Sequence, residues 1–160
     1  MKPSPLVVVV FGLPGAGKTF VGRQLAAQRG AHFHDGDADL PADMRAAIDA
    51  AQPVTDEMRE RFVDAQVARV KSLLGAHATV VLAQTFPKQV HRERFAREFP
   101  RVEWVLVTAP DALRAERIAH RSHQPLDAAY AKRMASFFDA PPAGTRVVVN
   151  DGVRPLPTSG

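Results

Sequence analysis

The sequence predicts an α/β fold: a doubly wound, five-stranded parallel sheet with helices on both faces. Three observations carry that reading. Strand-like apolar runs alternate with helical patterns along the 160 residues. Two of the runs, "VVVVF" ending at Phe11 and "WVLV" starting at Trp104, are apolar on both faces, as strands inside a parallel sheet are. Gly30, Gly75, Pro100 and Pro110 fall at the joins, where helices and strands have to stop.

The elements follow in order. The β-branched run 6–11 is the first strand, and 19–29 is a helix with Phe20, Val21, Leu25 and Ala26 at its apolar positions. Residues 31–34 make the second strand, and 42–51 a short helix stopped before Pro53. The spacing of Phe62, Val63, Val67, Val70, Leu73 and Leu74 predicts a long helix over 56–74. Strands at 79–83, 102–108 and 146–149 alternate with helices at 88–99, 111–121 and 126–138. Residues 1–150 read as a single domain without internal repeats, and 151–160 ("DGVRPLPTSG") as a flexible tail.

With 46% hydrophobic and 24% charged residues, the chain falls in the soluble, folded class. The absence of cysteine excludes disulfides and thiolate chemistry and fits a reducing, cytoplasmic setting. Lys2 ahead of the apolar run 6–11 imitates a signal peptide. The run is short, though, and Gly-rich residues and Lys18 follow it instead of a cleavage site. No stretch approaches the roughly 18 apolar residues of a membrane span, so no membrane association is expected. The net charge of +4 comes without a basic tail or an aromatic-basic pattern. That argues for a small phosphorylated ligand and against nucleic acid. Monomer and homodimer remain equally open.

The segment after the first strand carries the chemistry. Gly12, Leu13, Pro14, Gly15, Ala16, Gly17, Lys18 and Thr19 satisfy G-x-x-x-x-G-K-[ST], the Walker A pattern, in full. Small residues let backbone N–H groups curl around a phosphate. The helix that follows aims its positive end at the same anion. Lys18 then reaches the β- and γ-phosphates, and the Thr19 hydroxyl suits Mg²⁺. ATP and Mg²⁺ are the expected cofactors. No Asn-Lys-x-Asp guanine motif occurs, and no strand ends in the Asp or Asp-Glu of motor-type ATPases. Small-molecule and nucleotide kinases remain.

A second cluster, "FHDGDADLP", follows the second strand at the sheet edge where doubly wound folds bind ligands. Phosphoryl transfer asks two jobs of carboxylates. Asp35 can hold a water of the Mg²⁺ shell, and Asp37 can accept the proton of an attacking hydroxyl. His32 and His34 read as satisfied strand histidines, not as a metal pair.

On these stretches the chain resembles the gluconate kinases of the shikimate kinase-like group of P-loop phosphotransferases, over nearly its whole length. "GLPGAGKT" is shared by many P-loop proteins. In "FHDGDADLP…QPVTDEMRERF", Asp35, Gly36, Asp37, Pro41, Pro53, Asp56 and Arg59 fall on the family's pattern without a gap. In "TFPKQVHRERF", Lys88 and Arg92 keep the family spacing, with Thr85 for Ser. "LRAERIAHRSHQPL" is like the family's short lid, with Arg117 and Arg121 one helical turn apart. The resemblance implies ATP along residues 12–19, with Arg117 also at the nucleotide and Asn150 near the adenine. It implies acceptor-binding cations at Lys88 and Arg92, with Arg59, and catalytic lid cations at Arg117 and Arg121.

Departures gather around the implied acceptor pocket. Leu40 stands where the family has His, Ala47 where it has Lys, and Phe62 where it has Trp. Pro125 and Leu126 replace aromatic residues at the lid tip. A hydroxyl of a gluconate-like sugar acid is the first acceptor to consider. A nucleoside or nucleotide kinase, a shikimate kinase-like enzyme and a non-catalytic ATP-binding regulator are the alternatives. Nucleotide kinases usually insert a longer lid, and "AQTFP" stands where shikimate phosphorylation needs Gly-Gly-Gly. Intact Lys18, Asp35 and Asp37 speak against a regulator without turnover.

Overall fold

The computed structural model describes residues 3–120, 128–153 and 156. Strands β1 (Leu6–Phe11), β2 (His32–Asp35), β3 (Thr79–Gln84), β4 (Arg101–Thr108) and β5 (Arg146–Val149) form one sheet in the order β2-β3-β1-β4-β5. Every pairing is parallel: Leu6 stands beside Thr79 and Arg101, His32 beside Val80, and Val105 beside Arg146. Parallel neighbours need crossover connections. These are supplied by α1 (Lys18–Arg29), α2 (Ala42–Asp49), α3 (Asp56–Leu74), α4 (Gln89–Ala96), α5 (Asp111–Ala119) and α6 (Ala128–Ser136).

All six residues of β1 are buried, and alternate side chains enter different cores. Leu6, Val8 and Val10 join Val21, Leu25 and Ala26 of α1 on one face. On the other face Val7, Val9 and Phe11 join Val63 and Val70 of α3 and Phe95 of α4. Burying each of these side chains contributes roughly 1.5–3 kcal/mol. Both faces of the sheet are therefore fixed, and so is the register of β1. The carboxyl ends of β1, β2 and β3 open onto one edge.

The expected fold class is observed, with its element bounds adjusted. The helix expected over 88–99 ends at Ala96 and that over 111–121 at Ala119. Of the helix expected over 126–138, the described part ends at Ser136; Phe138 turns inward to stack on Phe11 at 6.2 Å. The helix expected over 42–51 ends at Asp49, and Ala51 takes a positive φ of 55°. A 3₁₀ turn, Gly36–Asp39, was not anticipated. From the expected tail, Leu156 packs against the α1-side core. No helix among the described residues is long and apolar enough to cross a membrane.

Candidate active site

Glycines set the shape of the loop after β1. Gly15 and Gly17 have φ of 83° and 94°, a left-handed conformation that L side chains resist. Space is short as well, since a Cβ on Gly17 would come within 2.1 Å of Asn150 Nδ2. Gly17 caps α1, so the first free N–H groups of a 12-residue helix open into this loop. The carbonyl oxygens are drawn to other partners. Arg117 Nη1 donates to Gly15 O (3.1 Å) and Ala16 O (3.2 Å), and Asn150 Nδ2 donates to Ala16 O (3.0 Å). Lys18 Nζ donates to Leu13 O at 3.1 Å. With its carbonyls tied and its N–H groups converging on α1, the loop is a cradle for a polyphosphate.

Arg117 and Asn150 both meet the phosphate loop itself. Arg117, expected at the nucleotide and over the transferring group, donates to loop backbone and, at 2.8 Å, to Asn150 O. Asn150, expected near the adenine, donates to Ala16 O of the loop. The reason is proximity: α5 and the end of β5 pack directly against the loop, where carbonyl oxygens need donors. Arg121 lies outside the described residues.

The Asp-Gly-Asp segment forms the 3₁₀ turn that follows β2. Asp35 is its cap, with Oδ1 accepting from Asp37 N at 3.0 Å. Gly36 is buried, and a Cβ there would lie 2.4 Å from Gln66 Nε2 and 2.8 Å from Ala83 O. No larger residue fits between β3 and α3. Asp39, its side chain 4% exposed, accepts from His34 Nε2 (2.7 Å) and pairs with Arg69 (3.5 Å). Arg45 Nη2 of α2 donates to Asp37 O at 3.0 Å. The turn is thus pinned by β2, α2 and α3 together, and it holds Asp35 and Asp37 toward the loop. His32 stacks on His77, ring centres 4.4 Å apart.

Between loop and turn lies a cavity of about 600 Å³, lined by Gly17, Lys18 and Thr19 at one end and by Asp35 and Asp37 beside them. It is also lined by Leu40, Met44, Ile48, Phe62, Met134 and Tyr130, with Arg23, Arg45 and Arg59 as cations. Burial pushes the Arg59 guanidinium below its ordinary range, opposed by Tyr130 and Asp56. Burial likewise raises the Tyr130 phenol, helped by the charge of Asp37, so it stays a protonated donor. The His91 imidazole is pushed down by burial and then by the positive charge of Arg59, which keeps it neutral near pH 7.

The three cations expected at the acceptor separate. Arg59 lines the cavity, 5.0 Å over the Phe137 ring. Lys88 stands over the same ring at 5.5 Å and 3.8 Å from Asp139, and is not among the residues lining the cavity. Arg92 does not reach the cavity. It is fully buried, and its donors go to Phe86 O (2.7 Å), Ala140 O (2.7 Å), Asp139 O (3.2 Å), Pro87 O (3.3 Å) and Gln89 Oε1 (3.3 Å). Phe11 and Phe138 cover its two faces at 4.9 Å. Five carbonyl-type acceptors match the five N–H groups of a guanidinium, which makes Arg92 a core cross-link and corrects its expected role.

Arg45, Tyr130, His91 and Gln84 were not read as site residues. For Arg45 a signal existed: it stands three residues before Ile48 and so shares that residue's helix face. Gln84, at the end of β3, leaves its Oε1 buried without a partner among the described residues while its side chain lines the cavity. Such orphaned atoms call for a partner the protein itself does not supply.

A family model described as an AAA domain matches residues 7–141. The chain belongs to that family. It is similar to a gluconokinase of Gluconobacter oxydans (strain 621H), 29% identical over 121 residues, 76% of this chain and 68% of that protein. It is also similar to a shikimate kinase of Salinispora tropica, 30% identical over 155 residues, 93% of this chain and 90% of that one. Among solved structures, a gluconokinase from Sinorhizobium meliloti 1021 superposes with a TM-score of 0.77 at 26% identity, over 94% of this chain and 85% of that one. The resemblance to P-loop small-molecule kinases therefore holds for this AAA domain beyond its phosphate loop.

Proposed function

We propose that the protein is an ATP-dependent phosphotransferase acting on a hydroxyl of a small anionic metabolite. The observation that carries the reading is a cavity lined both by the glycine-cradled Lys18 and Thr19 and by Asp35 and Asp37. A Cβ would obstruct that cradle at Gly17, and the donor set, an ammonium, a hydroxyl and two carboxylates, suits a magnesium nucleotide. Mg²⁺ bound by Thr19, and through water by Asp35, would neutralise charge on the β- and γ-oxygens.

In this reading the loop N–H groups bind the β-phosphate, and Lys18 balances the charge that develops as the γ-phosphoryl moves. Arg59 and Arg45 orient the acceptor's anionic group. The acceptor oxygen bonds to the γ-phosphorus while the bond to the β,γ-bridging oxygen breaks. ADP leaves with that electron pair, and Asp37 accepts the hydroxyl proton and returns it to solvent. Among acceptors, a gluconate-like sugar acid follows from the resemblance. The 30% identity to a shikimate kinase keeps a cyclic hydroxy acid as the second reading.

The two carboxylates supply the test. Asp37→Asn removes the proton acceptor but keeps shape, so transfer should fall by about 10² or more while affinity for the magnesium nucleotide stays within twofold. Asp35→Asn should also slow transfer, but high Mg²⁺ should restore it in part. Transfer by Asp37→Asn at the parent rate would overturn the assignment.

A further inference from the structure

A loop of Gly, Ala and Pro has many conformations open to it, and a carbonyl turned toward a phosphate would repel what the N–H groups attract. Here a single guanidinium commits two of those carbonyls elsewhere. Arg117 Nη1 donates to Gly15 O (3.1 Å) and to Ala16 O (3.2 Å). Asn150 Nδ2 donates to the same Ala16 O at 3.0 Å, so both lone pairs of that oxygen are used. The clamp is itself anchored: Arg117 Nη2 donates to Asn150 O (2.8 Å), and Asn150 N donates to Thr108 O at the end of β4 (2.7 Å). Helix α5, which carries Arg117, lies flush on the loop, since a Cβ on Gly15 would meet Arg114 O at 2.6 Å.

Two further observations say what this clamp does. Neither Arg117 nor Asn150 is among the residues lining the cavity that Lys18 and Asp37 share. Ala16 O and Gly17 N–H are the two ends of one peptide group, and Gly17 N–H, at the cap of α1, has no partner among the described residues. A cation and an amide drawing on that carbonyl polarise the peptide and strengthen its N–H as a donor.

We propose that Arg117 is a positioning residue of the nucleotide site, acting on the β-phosphate through the Ala16–Gly17 peptide and not by touching the transferring phosphoryl group. The proposal rests on the kinase reading above and assigns this residue's part in it. ADP and ATP carry the same β-phosphate, so losing the clamp weakens both alike. A cation touching the γ-phosphoryl group would be felt by the triphosphate alone.

Calorimetric titration with Mg²⁺ and two probes, ADP and a non-hydrolysable ATP analogue, tests it. An ammonium keeps the charge but cannot bridge three carbonyls at once, so Arg117→Lys should weaken both probes at least about tenfold, and equally within about twofold. Asn150→Ser removes the second donor at Ala16 O and should weaken both by about threefold or more. It also gives the reading should Arg117→Lys not fold. Because the two side chains serve one carbonyl, the double variant should bind ADP at least about threefold better than the product of the single losses implies. A loss confined to the ATP analogue overturns the proposal, as does ADP affinity within twofold of the parent's in both single variants, whatever their urea midpoints. Strictly multiplicative losses overturn it too. Failure of the parent protein to bind either probe overturns the kinase reading instead, so the two failures are told apart.

Discussion

At the scale of single residues, Arg92 marks the difference between a spacing and an environment. Its place four residues after Lys88 matches a family pattern, and a sequence offers no way to tell a ligand-binding guanidinium from a buried one. The structure gives it five acceptors and two aromatic faces. Arg92→Met would leave those carbonyls without donors, and urea unfolding should show a loss of about 3–5 kcal/mol. An unaltered unfolding midpoint would return Arg92 to the list of available cations. His91 makes a prediction in pH. Its folded pKa is lowered from 6.5, so below pH 6.5 the unfolded chain takes up a proton that the folded imidazole refuses. Stability from this group is present above pH 6.5 and is lost as pH falls toward the folded pKa. Replacing it in His91→Gln should flatten the decline in urea midpoint between pH 7.5 and 5.0. His32, lowered in the same direction by burial and its neighbouring histidines, still contributes in both proteins. An unchanged slope would contradict the shift.

At the scale of elements, the strands and the phosphate loop were legible because their signals are local. A doubly buried strand such as Leu6–Phe11 is apolar at every position, and an anion cradle needs glycine where the backbone turns left-handed. Helix ends were less legible, since Phe138 leaves its expected helix to meet Phe11 and Arg92, contacts made across the chain. The 3₁₀ turn at Gly36–Asp39 was not legible as an element because its supports, Gln66, Arg69 and Arg45, come from other helices. Gly36 reveals how tight that support is. Gly36→Ala should force the turn off β3, destabilising the protein by roughly 1–3 kcal/mol. It should also raise the Mg²⁺ concentration needed for half-maximal turnover, because Asp35 moves with the turn. A fully stable variant with the parent's Mg²⁺ requirement would show that the turn has room.

At the scale of the whole molecule, the strand order β2-β3-β1-β4-β5 gathers the pieces. It sets the loop after β1 next to the ends of β3 and β2, so that residues 18, 35, 37 and 84 meet at one sheet edge though they are far apart in sequence. The nucleotide end was readable from eight consecutive residues. The acceptor end was not, because its wall is assembled from α2, α3, α6 and the segment after β3. The central claim is that this edge transfers phosphate to a bound hydroxyl. It is tested most directly by measuring ADP release across sugar acids, polyols, shikimate, nucleosides and nucleoside monophosphates, with the parent protein and Lys18→Ala side by side. The account predicts that one acceptor class raises ADP release at least about tenfold, and that Lys18→Ala lowers this acceptor-dependent rate by about 10² or more. ADP release that no acceptor stimulates, or a Lys18→Ala rate within tenfold of the parent's at saturating ATP, would contradict it.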